Sequence, residues 1–227
     1  MAVISERFDD LGKRDSDRIY RLGILGGTFD PIHVGHLACA DEVRDGFGLD
    51  AVIFIPTAHP VFKRNQQIAP ALERFKMCRL ATADNPSFDV SAIEIERGGD
   101  TYTVDTLRAL RRHYPANVEI FFIAGVDAIS TITKWKDSEA LGGMARFIAV
   151  SRPDFDLSDE QKCRLMRNES NIDVSFLEIT ALAISSSGIR ERIGQGKSVR
   201  YLVPAAVDEH VKSNGLYRYN RKVDHER

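Results

Sequence analysis

The chain contains little of what marks several large classes of protein. Cysteine is scarce: Cys39, Cys78 and Cys163 are widely spaced, and no CxxC pair occurs. Their odd number and spacing exclude a disulfide framework and a cysteine-rich zinc site, and they favour reduced thiols in a cytoplasmic protein. No apolar run approaches the roughly 20 residues that span a bilayer, and the N-terminus lacks the apolar segment of a secretory signal. We therefore expect no membrane partner.

An excess of charge is also absent. The formal net charge is −2 at pH 7, and no basic stripe with interleaved aromatic residues occurs. Binding to nucleic acid through its phosphate backbone is therefore not expected. No GK[ST] follows the first glycine-rich stretch, and the chain has no GxGxxG fingerprint and no internal repeat. The commonest nucleotide-binding signatures and solenoid folds are therefore excluded.

The length of 227 residues suits one domain with a full hydrophobic core. The first stretch, "MAVISERFDDLGKRDSDR", is polar, as is the final "RYNRKVDHER". We predict a polar N-terminal extension over 1–19, a single domain over 20–218 and a polar tail over 219–227.

Short apolar runs alternate with amphipathic segments along this domain. "RLGILGG", "AVIFIP" and "VEIFFIAG" are typical of buried parallel strands, and a helix is predicted from about Gly35 to Phe47. The alternating stretch 88–97 predicts another strand, and 156–170 predicts a polar helix. This order predicts an α/β fold with a doubly wound, mostly parallel, Rossmann-like sheet. Ligands of such sheets bind at the carboxyl ends of the strands.

The junction between the first strand and first helix reads "GILGGTFDPIHVGHL". Gly26 and Gly27 allow a phosphate to approach the backbone closely, and Thr28 adds a hydroxyl donor. His33 and His36 are three residues apart, so both imidazoles can face one point at the helix start. This combination predicts a phosphate site with two imidazole donors rather than a pair of packing histidines.

A second candidate anion site lies near the end of the chain, in "ISSSGIR". Ser185, Ser186 and Ser187 precede a predicted helix, where hydroxyl groups and free backbone N–H groups converge. Arg190 follows one turn later and can bind a polyphosphate.

These two motifs carry a family resemblance. "GGTFDPIHVGHL" resembles the HxGH signature of the nucleotidyltransferase superfamily, and with "ISSSGIR" it is similar to the bacterial nicotinate-nucleotide adenylyltransferase family. The resemblance extends from about Arg21 to Tyr217. It implies that the phosphate of nicotinate mononucleotide attacks the α-phosphorus of ATP, giving deamido-NAD and pyrophosphate without a covalent enzyme intermediate. Mg²⁺ would arrive with ATP, and no protein ligands for a metal are predicted.

The resemblance also assigns site residues. The catalytic set comprises His33, His36, Lys63 and Arg190. The set that binds ATP or its phosphates comprises Gly26, Gly27, Thr28, Phe29, Gly125, Asp127, Ser186, Ser187 and Arg190. Backbone N–H groups of Tyr102 and Thr103 would bind the nicotinate carboxylate, and Trp135 would stack on the pyridine ring. The chain departs from the family pattern at Ser187, where threonine is usual, and at Phe62, where histidine is usual.

Three alternatives stay open at this point. Nicotinamide mononucleotide could be accepted as well, because a carboxamide oxygen can also face backbone donors. Phosphopantetheine adenylyltransferases share the histidine motif. A non-catalytic nucleotide sensor could use the same fold, although the intact histidines and Arg190 argue against it. The sequence does not indicate an oligomeric state.

Overall fold

The computed structural model describes residues 4–59, 68–151, 171–180 and 182–218, and its centre is a six-stranded sheet. All neighbouring strands are parallel, in the order β3-β2-β1-β4-β5-β6. The strands are β1 (Tyr20–Gly27), β2 (Ala51–Pro56), β3 (Phe88–Val90), β4 (Val118–Gly125), β5 (Arg146–Ser151) and β6 (Val174–Glu178). The predicted doubly wound α/β fold is confirmed.

Helices cover both faces of this sheet. They are α1 (Val34–Phe47), α2 (Ala71–Thr82), α3 (Ile93–Arg97), α4 (Thr103–His113), α5 (Val126–Ile129), α6 (Ser186–Gly194) and α7 (Ala205–Ser213). Two short 3₁₀ turns follow α5, at Ile132–Lys134 and Ser138–Ala140. Residues of α1, α2, α6 and α7 share one hydrophobic cluster, and those of α3, α4 and α5 share another. Within the described ranges, no helix is long and apolar enough to cross a bilayer.

The winding direction of the chain reverses between β1 and β4. β1 pairs with β2 on one side and with β4 on the other, and Gly27 and Gly125 end the two central strands. A crevice forms at such a reversal because the connections leave neighbouring strands toward opposite faces. The fold therefore brings the glycine-rich end of β1 next to the end of β4.

The prediction of one strand over 88–97 is wrong in its second half. β3 ends at Val90, and the hydroxyl of Ser91 accepts the backbone N–H of Ile93 at 3.3 Å, at the start of α3. Gly98, with φ of +66°, ends that short helix. Alternation alone does not reveal this local competition from a serine side chain. The helix predicted over 156–170 lies outside the described residues.

The N-terminal extension is less separate from the domain than its polarity suggests. Ile4 is buried in the core cluster of α4, and the Ser5 hydroxyl donates to the Asp89 carboxylate at 2.6 Å. The Arg7 guanidinium donates to three backbone carbonyls between α2 and β3. Residues 4–7 thus contact the domain directly, although they precede its first strand. The tail predicted over 219–227 lies outside the described residues.

Candidate active site

A cavity of about 810 Å³ opens at the carboxyl ends of β1 and β4. Its wall includes ten predicted site residues: Gly26, Gly27, Phe29, His33, His36, Gly125, Asp127, Ser186, Ser187 and Arg190. Segments from the two ends of the chain meet there because α6 packs beside the β1–α1 loop. Both predicted phosphate motifs therefore face one space.

The packing of the β1–α1 loop depends on the glycines at its two ends, Gly27 and Gly35. Phe29 adopts a left-handed backbone conformation with φ of +48° and is almost fully buried. A Cβ atom on Gly27 would lie 2.9 Å from the Phe29 ring, and one on Gly35 would lie 3.1 Å from the His33 ring. Side chains at these positions would displace aromatic rings that line the cavity. The two glycines therefore serve packing of the loop as well as phosphate approach.

The two histidines lie at the first turn of α1 in a fixed arrangement. Their rings stack with centroids 3.6 Å apart, and the Phe29 ring packs edge-on against His36. The backbone N–H of His33 donates to Nδ1 of His36 at 3.2 Å. Nδ1 of His36 is then an acceptor, so a neutral His36 carries its proton on Nε2. This bond prepares His36 as an Nε2 hydrogen-bond donor.

The "ISSSGIR" segment is bonded to the loop before α1. The Ser186 hydroxyl donates to the Pro31 carbonyl at 2.9 Å, and Nη1 of Arg190 donates to the Asp30 carbonyl at 2.8 Å. Ser185 caps α6 by accepting the backbone N–H of Gly188 at 3.1 Å. The start of α6, with its positive dipole end, is thereby held against the cavity.

Sequence reasoning did not identify the buried ionic groups beneath the loop. The Arg74 side chain is 1% exposed and donates hydrogen bonds to four backbone carbonyls. These carbonyls belong to Thr28, Thr57, Ala58 and Ala69. Burial lowers the pKa of Arg74, and the charge of Asp30 opposes that shift. One signal existed: helical spacing places Arg74 on the same face as Met77, Cys78 and Ala81.

Part of the opposite wall was also missed. The cavity is also lined by the last two residues of β5 and by residues that follow β6: Val150, Ser151, Ile179, Thr180 and Leu182. The Glu42 carboxylate on α1 accepts the backbone N–H of Thr180 at 2.8 Å. Helix α1 thus positions this wall as well as the histidines. No motif in the sequence marks these mostly apolar residues.

The three residues predicted to bind nicotinate lie beside the cavity rather than in its wall. Tyr102 caps α4, which begins at Thr103, and the first N–H groups of a helix lack acceptors within the helix. Trp135 is partly buried and packs edge-on against Phe122 and Phe147. The Phe122 ring also lies below Gly26, where a Cβ atom would be 3.4 Å away. Phe122 therefore links the region around Tyr102 and Trp135, the predicted pyridine side of the site, to the end of β1.

Two predicted residues stand apart from this arrangement. Thr28 is not among the residues that line the cavity, and its carbonyl accepts a hydrogen bond from Arg74 at 2.7 Å. Lys63, with its neighbour Phe62, lies outside the described residues. The roles assigned to both stay predictions.

Comparisons with known proteins identify the family. A family model for cytidylyltransferase-like proteins matches residues 24–192. A protein of Salinispora arenicola named a probable nicotinate-nucleotide adenylyltransferase is 47% identical over 194 residues, covering 86% of this chain and all of the relative. One of the same name from Leifsonia xyli is 48% identical over 198 residues, covering 87% of this chain and 94% of the relative.

Solved structures show the same fold. The nicotinic acid mononucleotide adenylyltransferase of Plasmodium falciparum, complexed with NaAD, superimposes with a TM-score of 0.69 at 18% identity. The match covers 87% of this chain and 97% of the other. The family model and the identity to the curated relatives show that the chain belongs to the cytidylyltransferase-like family and, within it, to the nicotinate-nucleotide adenylyltransferases.

Proposed function

We propose that the protein transfers the adenylyl group of ATP to nicotinate mononucleotide, giving deamido-NAD and pyrophosphate. A phosphate oxygen of the mononucleotide attacks the α-phosphorus of ATP, and the bond from that phosphorus to the bridging oxygen of the β-phosphate breaks. The oxygen leaves with pyrophosphate. No protein nucleophile takes part, so catalysis consists of positioning and charge stabilisation.

One observation carries this proposal: a single cavity is lined by His33, His36, Arg190 and the glycines that end β1 and β4. Nε2 of His36 can donate to a phosphate oxygen as negative charge moves toward the leaving group. Arg190 supplies a permanent positive charge on the same side. Asp127, on the far side, would bind the ribose or adenine part of ATP.

The acceptor would lie between the cavity and α4. The N-terminus of α4 offers N–H groups at Tyr102 and Thr103, which suit a carboxylate. Trp135 would cover the pyridine ring. Its packing against Phe122 and Phe147 supports this role, since a stacking ring works best when it is held in place.

A divalent cation is expected to arrive with ATP and to leave with pyrophosphate. Among the described residues, no group of three or more His, Cys, Asp or Glu side chains could hold a metal ion. Within that part of the chain the residues form no resident metal centre, and the proposed roles of His36 and Arg190 do not depend on one. Cys78 is a free, buried thiol, which is compatible with the proposed cytoplasmic location.

The test is pyrophosphate release from Mg-ATP with each of three acceptors: nicotinate mononucleotide, nicotinamide mononucleotide and phosphopantetheine. We expect turnover with the acid mononucleotide. The variant H36A should reduce kcat about 100- to 1,000-fold, the usual cost of removing one preorganised donor. H113Q is the matched control, because His113 ends α4 at the opposite end from the site and bonds Asp9.

Each result has a distinct meaning. Preference for the amide would overturn the assignment of Tyr102 and Thr103 to a carboxylate. Release with phosphopantetheine alone would overturn the acceptor while leaving adenylyl transfer in place. If none of the acceptors supports release, the proposed function is overturned and the nucleotide-sensor alternative is favoured.

A further inference from the structure

A buried carboxylate lies directly beneath the phosphate loop. Asp30 is 1% exposed and precedes Pro31 in the segment that leads to His33. Its Oδ1 accepts two hydrogen bonds, from the backbone N–H of Ala69 at 3.1 Å and from the Tyr217 hydroxyl at 2.7 Å. A carboxylate buried this deeply requires partners. Those of Asp30 come from three separate parts of the chain: the segment before α2, helix α6 and the segment after α7.

The most distant partner is Tyr217. It follows α7, and its backbone has φ of +63°, a conformation unusual for a residue with a side chain. The ring packs against the cluster that contains α1 and α2, and the hydroxyl ends on Asp30. Burial, together with the charge of Asp30, raises the pKa of Tyr217, so its hydroxyl keeps its proton and remains a donor.

Arg190 lies on the other side of the same aspartate. Its Nη1 donates to the Asp30 carbonyl at 2.8 Å and lies 3.6 Å from the Asp30 Oδ2 atom. The second distance is too long for a good hydrogen bond. Oδ2 is buried and has no hydrogen-bond partner among the described residues. The carboxylate therefore attracts Arg190 without forming a close pair with it.

We propose that Tyr217 and Asp30 are positioning residues for Arg190, which they hold ready for the triphosphate of ATP. The inference rests on the proposed function, because it assumes that Arg190 binds phosphate. It makes the segment after α7 a supporting part of the active site.

The physical reason is the orientation of the carboxylate. The Tyr217 and Ala69 donors both bind Oδ1 and so fix the torsion of the Asp30 side chain. Without the Tyr217 bond, the carboxylate can turn and pair closely with the Arg190 guanidinium. A close, charge-assisted pair would neutralise Arg190 and withdraw it from ATP.

The experiment measures binding of Mg-ATP by calorimetric titration, with no acceptor present. Y217F removes the hydroxyl and keeps the ring, and we expect it to weaken binding about tenfold, the effect of one hydrogen bond to a charged group. Y201F is the matched control, because Tyr201 also has a positive φ, +70°, but its side chain is 79% exposed. The Y201F variant should therefore bind Mg-ATP with the affinity of the wild type.

The mechanism is tested by combining variants. In an R190Q background, Y217F should weaken Mg-ATP binding little further, because the arginine through which Tyr217 acts is absent. D30N is a second test of the same mechanism, because it replaces the carboxylate beside Arg190 with an amide. The effect of D30N on Mg-ATP binding should also be smaller in the R190Q background. Thermal unfolding of every variant separates loss of binding from loss of folding.

Unchanged ATP affinity in Y217F, or an effect that adds fully to that of R190Q, would overturn the inference. Because this readout is binding rather than turnover, it is independent of the acceptor. A wild type that binds ATP through Arg190 but releases no pyrophosphate would defeat the proposed function alone.

Discussion

The two sides of the site are built differently. On the phosphate side, side chains from distant segments converge on one loop: Arg74, Asp30, Arg190 and Tyr217 all form hydrogen bonds there or beside it. On the pyridine side, Trp135 and Tyr102 rest on the hydrophobic core beneath them. The first side is held by directional bonds to buried charged groups, whereas Trp135 and Tyr102 on the second side are held by packing against the core.

This difference has a chemical reason. Phosphate groups must be met by donors at fixed positions as charge moves between them, which requires a loop that does not adjust. A flat ring and a carboxylate need a surface and a helix start, which packing can provide. The Lys136 ammonium lies 4.5 Å from the centre of the Tyr102 ring, in a cation–π contact whose lysine is exposed. Substitutions should therefore have larger effects on the phosphate side.

The largest effect on stability is expected at Arg74. The variant R74M fills a similar volume but leaves four backbone carbonyls without their donor and removes one of the positive charges that act on Asp30. Breaking a buried charged network of this kind lowers the free energy of unfolding by about 3–5 kcal/mol. Urea unfolding followed by circular dichroism measures it.

The matched control for R74M is K76M on the same helix. The Lys76 side chain is 57% exposed and pairs only with Glu73 within the helix. We expect a change below about 1 kcal/mol, as for other surface pairs. Equal losses in the two variants would mean that the buried network does not hold the phosphate loop.

The second-largest effect is a pH dependence of the free energy of unfolding that arises at Glu94. This carboxyl group is hydrogen-bonded to helix α4, on the pyridine side. Its Oε1 accepts the Thr106 hydroxyl at 2.6 Å, and burial raises its pKa to about 7, with Thr106, Arg97, Thr101 and Arg74 opposing that shift. Because the pKa in the folded state exceeds 4.5, folding favours the protonated form. That stabilisation is complete below pH 4.5 and is lost as the pH rises through about 7.

The variant E94Q should remove this dependence. Relative to the wild type, it should gain up to about 3 kcal/mol of unfolding free energy between about pH 5 and about pH 8. Urea unfolding of both proteins at these two pH values measures the difference in unfolding free energy. E96Q, an exposed substitution on the same short helix, should show no such gain. Parallel pH profiles for E94Q and the wild type would show that Glu94 is ionised throughout.

The same contrast explains what the sequence could predict. The strands "AVIFIP" and "VEIFFIAG" were predicted with their observed bounds, because a continuous apolar run depends on little besides burial. Gly26, Gly27, His33, His36 and Arg190 were found because their motifs are local. The structure places all five in the lining of one cavity, and their roles stay predictions.

The supporting residues could not be found in this way. Asp30 lies within the histidine motif "GGTFDPIHVGHL". Its partners, Ala69, Arg190 and Tyr217, are 39, 160 and 187 residues away along the chain. Periodicity describes one element at a time and carries no information about such pairs. Ile4 was missed for the same reason, since its segment is polar overall and its burial depends on α4.

The smallest of these effects is expected at Trp135, on the packed side. The variant W135L removes the stacking surface, and we expect a two- to tenfold higher KM for nicotinate mononucleotide, from about 0.5–1.5 kcal/mol of aromatic contact. The KM for ATP and kcat should change little, because the phosphate side is held separately. W135F, which keeps a ring against Phe122 and Phe147, should retain most of the affinity. An equal rise in both KM values would show that the two sides are coupled through Phe122, and that the division between bonded and packed sides does not hold for function.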